Sequence, residues 1–148
     1  MFKLVKNLTA WWPVTVLTPD DENPGTLKEE AFEAQFLILG REERKTLQDE
    51  RDALIAELPK SEDFLQDFAA ATAKGKEIAA KIEAHDREMF HRIVRSWRGV
   101  IGENKKTIEF SSEMLDMALG RDDIRAGFNE AYQEATSNDK ARLGNSKA

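Results

Sequence analysis

Apolar residues recur along this chain with two periods, and the change comes near residue 40. Upstream of it, Val14, Val16 and Thr18 alternate with Thr15 and Leu17, and Phe32, Ala34, Phe36 and Ile38 alternate with Glu33 and Gln35. A period of two marks a strand with one buried face, and the β-branched residues suit a pleated surface. Pro19, Asp20, Asp21, Asn23, Pro24 and Gly25 crowd the stretch between these runs with turn formers. A strand pair is therefore predicted over 11–39, within a hairpin region spanning 1–39. Pro13 has no amide hydrogen to donate, so its strand starts there or lies on an edge. Two strands alone are marginally stable, so the aromatic face must cover a helix or a partner. Phe2 and Leu4 give a weak signal for a third strand.

Downstream the spacing is helical. Leu47, Leu54, Ile55 and Leu58 share one face of a highly charged segment, and Pro59 ends it. Ser61 is the predicted N-cap of the next helix, whose apolar face is Phe64, Leu65 and Phe68, with Glu62 and Asp63 in its first turn. An alanine-rich patch leads to Gly75, where the glycine penalty of about 1 kcal/mol favours a break or kink. Ile78, Ile82, Met89, Ile93 and Trp97 form one stripe, predicting a helix over 76–97 with Trp97 in the core. Gly99 and Gly102 end it. Residues 99–110 read as a turn-rich connector, a tiny hairpin or an extended loop. Ser111 caps a short helix carrying Met114, Leu115, Ala118 and Leu119, stopped by Gly120. A last helix starts near Asp122 or Asp123 and carries Ile124, Phe128, Ala131, Tyr132 and Ala135 on one face.

The expected fold is mainly α within the α+β class: an N-terminal β-hairpin or small sheet packed on a bundle of about four to five helices. Residues 1–137 form a single expected domain, with helices over 41–98, the connector at 99–110 and C-terminal helices over 111–137. A flexible tail is expected at 138–148, where little can be buried.

Composition narrows the function. The 148 residues carry 22 Lys and Arg against 28 Asp and Glu, a net charge of -6, which opposes nucleic-acid binding. No cysteine is present, excluding disulfides, thiolate nucleophiles and cysteine-based zinc sites. Lys3 and Lys6 precede an apolar stretch, but Asn7, Thr9 and Pro13 interrupt it and no small-residue cleavage site follows, so no signal peptide is expected. No apolar run approaches the roughly 18 residues of a membrane span. A soluble intracellular protein follows as the expectation, with no membrane partner.

Candidate chemistry is sparse. Glu88-x-x-His91 has the spacing used in carboxylate-bridged di-iron bundles, but such a site needs a second copy, and Ile82 stands three residues before the other histidine, His85. His85 and His91 lie on different helix faces, which prevents joint ligation through that helix. No nucleophile elbow, phosphate loop or dinucleotide fingerprint occurs. The abundant carboxylates lie on solvated helix faces, where catalytic pKa tuning is absent. No enzyme activity, cofactor or metal is expected. Arg87, Arg92, Arg95, Arg98, Lys105 and Lys106 form a basic region that pairs with the acidic helix at 42–52 or receives an acidic partner segment. Trp11 and Trp12 are the candidate partner-binding residues. Adjacent strand residues point to opposite faces, so one indole can be buried while the other serves as an interface anchor; cover by the helix at 41–58 is the alternative.

With these residues in view, the chain resembles the tail assembly chaperones of long-tailed phages and prophages. The N-terminal likeness is Trp12-Pro13-Val14-x-Val16, then Pro19-Asp20, a short acidic turn, Phe32-x-Ala34-x-Phe36, and Leu39-Gly40-Arg41-Glu42-Glu43. The C-terminal likeness is Trp97-x-Gly99-Val100, a hairpin-like turn, Phe110-Ser111-x-Glu113-x-Leu115, and Ile124-Arg125-x-x-Phe128-x-x-Ala131-Tyr132-x-Glu134-Ala135. The resemblance implies a non-enzymatic helper that binds the tape measure protein and helps recruit tail tube subunits. It further implies action in the cytoplasm of the infected or lysogenic bacterial host and absence from the mature virion, with self-association left open. The competing expectation is a structural tail-completion or connector component of the virion.

Overall fold

Alternation in the first strands sets the architecture. Strand β1 (Thr9–Pro19) pairs antiparallel with β2 (Leu27–Leu37), with Thr9 opposite Leu37 and Pro19 opposite Leu27. The Ile38 N–H donates to the Leu8 carbonyl at 2.8 Å, so the pair beside the ladder's end is of the hydrogen-bonded kind. Such pairs alternate along an antiparallel ladder, which turns the backbone groups of Thr9, Trp11, Pro13, Thr15 and Leu17 away from β2. Pro13 therefore sits inside the strand, at an edge position where its missing N–H costs no ladder bond. Gly25, at φ 87°, supplies the left-handed residue of the connecting turn.

The structure is a computed structural model and describes residues 1–137. The expected tail at 138–148 lies outside the described residues. The element order is β1, β2, α1 (Arg41–Ala56), α2 (Ser61–Gln66), α3 (Phe68–Ile93), β3 (Val94–Arg98), α4 (Ser112–Ala118) and α5 (Asp122–Thr136). The fold is α+β, with a three-stranded antiparallel sheet ordered β1-β2-β3. Two compact units emerge among the described residues: Met1–Ile38 together with residues 94–137, and Leu39–Ile93.

The third strand is where the sequence reading needs correction. Residues 94–98 were expected to finish a helix but pair with β2, placing Trp97 opposite Ala34 and Val94 opposite Phe36, with a bulge between. In a regular strand Val94 and Trp97 would face opposite sides. The extra residue of the bulge restores them to one face, so both are buried while Arg95 is exposed. An apolar spacing of three is thus shared by a helix and a bulged strand, and the open edge of β2 decides between them. Phe2 and Leu4 form no strand and are exposed.

The inner face of the sheet buries Val14, Val16, Ala34, Phe36, Val94 and Trp97. Helix α5 covers it through the face expected from sequence. Phe36 meets Phe128 and Tyr132 edge-on, with centroids 6.4 and 5.5 Å apart, and Phe32 meets Phe128 at 5.7 Å. Each such pair adds about 0.5–1.5 kcal/mol to simple burial. Gly127 allows the close approach, because a Cβ there would lie 2.8 Å from the Thr15 carbonyl oxygen. The Trp97 indole N–H donates to the Ile108 carbonyl at 2.9 Å and its ring meets Phe110 edge-on, tying the connector to the sheet. The connector is itself a small hairpin closed by a bridge between Ile101 and Thr107. Ser111 accepts a hydrogen bond from the Met114 N–H, the cap expected for α4.

In the second unit α1 and α2 each pack along α3. Gly75 does not break α3, which runs unbroken from Phe68 to Ile93. Its local helix cost is modest against the bonds on either side, and a Cβ there would make only ordinary contact with Pro59. The α2 cap shifts by one residue: Lys60 is the N-cap, and its N–H donates to the Asp63 carboxylate at 2.8 Å. Phe64 is half-buried, whereas Leu65 and Phe68, expected on the same apolar face, are exposed. A helix of two turns is too short to bury a stripe that continues beyond the extended backbone at Asp67.

Candidate interaction surfaces

The two adjacent tryptophans separate as strand geometry requires. Trp12 lies on the same sheet face as Val14 and is half-buried, and its indole N–H donates to the Glu134 carboxylate of α5 at 3.1 Å. Trp11 lies on the outer face and is 36% exposed. The Arg98 guanidinium sits 4.1 Å above its ring centroid, and the Arg98 Nε donates to Glu33 at 2.7 Å. Glu33 is the register partner of both Pro13 and Arg98, so one carboxylate fixes the cation that holds the indole. A cation–π contact at an exposed site contributes about 0.5–1 kcal/mol, and here it restrains an indole on the outer face.

Further apolar side chains continue along the outer face. Pro13 and Leu17 follow Trp11 on this side of β1 with the polar Thr15 between them, and Leu27 and Ala31 are exposed on the same side of β2. Leu17 and Leu27 are 50% and 61% exposed. At roughly 3.4 Å per residue the strip from Trp11 to Leu17 measures about 20 Å, the length of some four helical turns. Opposite charges flank it, with Glu29, Glu33 and Arg98 around the apolar positions.

Two cavities lie elsewhere in the molecule, one in each unit. The first, about 200 Å³, lies in the sheet unit with Val16, Phe32, Trp97 and Ile124 in its wall and Thr18, Glu30 and Arg121 among its polar groups. It is smaller than the usual 300–1,000 Å³ of a ligand pocket. Its polar groups also satisfy other protein groups: Thr18 donates to Glu30 at 3.0 Å, and Arg121 forks onto Asp123. That fork holds the Asp123 carboxyl below its ordinary value and raises Arg121 above its own.

The second cavity, about 250 Å³, lies between α1 and α3 and is lined by charged groups that include Glu43, Glu50, His85, Glu88 and Arg92. Arg92 pairs with Glu43, His85 Nε2 lies 3.2 Å from Glu50, and Arg51 forks onto Asp86 at 2.8 and 3.2 Å. The Asp86 hydrogen bond raises the Arg51 guanidinium further above its ordinary value. Part of the basic region thus meets the acidic helix as expected, through Arg92. Arg87 instead pairs along its own helix with Glu83, and Arg98 turns to the sheet. Glu88 lines the cavity but His91 does not. Among the described residues, no three or more His, Asp or Glu side chains are grouped to hold a metal ion. No described helix is long and apolar enough to cross a membrane.

Trp11 was legible from the sequence as one of two candidates. Arg98 was legible only as part of a basic run, and Glu33 only as a polar position on a strand. Nothing in their spacing points to the stack, because strand β3 must first form beside β2. Comparison with family models, curated proteins and solved structures gives no match to this chain.

Proposed function

We propose that this protein is a tail assembly chaperone of a long-tailed phage or prophage, one that binds the tape measure protein and helps recruit tail tube subunits. It acts by covering apolar surface and makes or breaks no bond. The observation that supports this reading most is the ordered, exposed Trp11 at the head of a 20 Å apolar strip, about the length a helix of some four turns presents. A tape measure chain is long, helical and apolar, so a helper of this kind shields it until the tube is assembled around it. Trp12, engaged with Glu134, serves the fold and leaves Trp11 as the partner contact. The site of action is the cytoplasm of the bacterial host, and the helper is absent from the finished virion.

The test is co-expression with the tape measure and tube proteins encoded nearby, followed by pull-down. Capture of the tape measure protein by the wild type is expected, with Trp11→Ala folding normally but binding about thirtyfold more weakly, the loss typical of an interface tryptophan. No capture by the wild type rejects the function, and equal capture by the variant rejects the assignment of Trp11. Abundant copies in purified virions would instead favour a tail-completion or connector component.

A further inference from the structure

Two features of the sheet unit are left over by its own packing. The first is the arm that leads into β1. Residues 1–8 hold Phe2, Leu4, Val5 and Leu8 with Lys3 and Lys6, and no acidic residue. Phe2 stands 86% exposed, an aromatic ring almost wholly in water. The second is the cavity of about 200 Å³ walled by Val16, Phe32, Trp97 and Ile101. Too small for the usual ligand, it matches a single ring, since a cavity of about 150 Å³ suffices for benzene. It opens to solvent beside Ile101, itself 59% exposed.

The wall is suited to a ring that has nothing to donate. Thr18 already donates to Glu30, and Arg121 already forks onto Asp123, so the polar groups ask for no further hydrogen bond. Phe32 and Trp97 meet edge-on with centroids 6.3 Å apart, and a third ring beside them extends the same geometry. Of the two charged wall residues, Arg121 is engaged by Asp123, which leaves Glu30 to meet a cation. The arm carries that cation next to its ring, as Lys3 follows Phe2.

The arm cannot reach this cavity in its own chain. The Leu8 carbonyl is held by the Ile38 N–H, and the six residues from Leu8 back to Phe2 span at most about 21 Å. Val16, the first β1 residue of the wall, lies eight residues away in the opposite direction, about 27 Å along the strand.

We infer that Phe2 of one copy inserts into this cavity of a second copy, with Lys3 at the rim toward Glu30. Each copy gives an arm and receives one, a heterologous contact. The chain has a net charge of -6, so two copies repel in general, and the cationic arm is a segment that an acidic neighbour accepts. The contact does not rest on the tail-assembly reading, since it uses neither Trp11 nor the outer face of the sheet.

The test is sedimentation velocity of the full-length protein. From about 10 µM to about 1 mM, a contact of one buried anchor and one ion pair should associate reversibly with a dissociation constant on the order of 100 µM. Phe2→Ser and Ile101→Lys should each weaken association at least tenfold, the first by removing the anchor and the second by placing a cation where Lys3 arrives. Both side chains are exposed, so the melting temperature should not change. Mixing the two variants separates arm from cavity. The intact arm of the Ile101→Lys chain enters the intact cavity of the Phe2→Ser chain, giving one-to-one dimers at wild-type affinity and no larger species. A wild type that stays monomeric over this range, full association by either variant alone, or no dimer in the mixture overturns the inference.

Discussion

A methyl group added at Gly127 would sit 2.8 Å from the Thr15 carbonyl oxygen, 3.2 Å from Val14 Cγ1 and 3.4 Å from Val16 Cγ2. Two opposing effects follow from Gly127→Ala. Alanine is favoured over glycine inside a helix by about 1 kcal/mol. Against this, overpacking a tight contact costs about 1–3 kcal/mol, and here the nearest atom is backbone, which cannot rotate aside. Relief requires α5 to lift from β1, which loosens the edge-on contacts of Phe128 with Phe32 and Phe36. These add about 0.5–1.5 kcal/mol each when intact. The contact term wins, and a net loss of about 1–2 kcal/mol is expected. For a chain of this size that lowers the melting temperature by roughly 3–8 °C.

Gly75→Ala is the internal control, because the same propensity gain acts at a helix position where the nearest atom is Pro59 Cδ at 3.9 Å. It should raise the melting temperature by roughly 2–4 °C. Thermal and urea unfolding of both variants, followed by circular dichroism, gives the signs directly. If the two variants shift in the same direction, the close approach of α5 to β1 is wrong.

Phe36→Asp should unfold or aggregate the protein. The site is fully buried against Phe128 and Tyr132, so the change removes about 3–5 kcal/mol of packing and also buries a carboxylate. A soluble variant with wild-type melting would refute the aromatic inner face. Asp123→Asn tests the fork to Arg121. The native carboxyl lies below its ordinary value of 3.8, so its contribution is complete above that pH and is lost as the pH falls through the lower native value. The difference in melting temperature between wild type and variant should therefore be constant from about pH 6 to 8 and close below about pH 4. Because Arg121 is more than half exposed, the difference should be small, well under the full value of a buried pair. A gap that widens in acid contradicts the assignment.

Much of this fold was legible in the chain itself. The two-residue alternation of Val14, Val16 and Thr18 and of Phe32, Ala34 and Phe36 dictated strands with one apolar face, and that face is the inner one. Ile124, Phe128, Ala131, Tyr132 and Ala135 marked the stripe of α5, while Ser111 marked the start of α4. These are local properties, fixed by side-chain periodicity and by capping within a few residues, so the sequence carries them unaided.

Tertiary structure decided what depended on distant partners. Val94 and Trp97 continue a helical spacing, and only the unpaired edge of β2, some sixty residues earlier, turns them into a bulged strand. Alternation parted Trp11 from Trp12 and put Trp12 in phase with Val14, but it could not say what either indole would meet. Glu134 takes Trp12 inward from 122 positions away, and Arg98 orders Trp11 on the outside. Leu65 and Phe68 read as core by period and are exposed because α2 ends before their stripe finds a surface to cover. Periodicity tells a chain which residues share a face; what lies opposite that face is set by where the rest of the chain folds back to meet it.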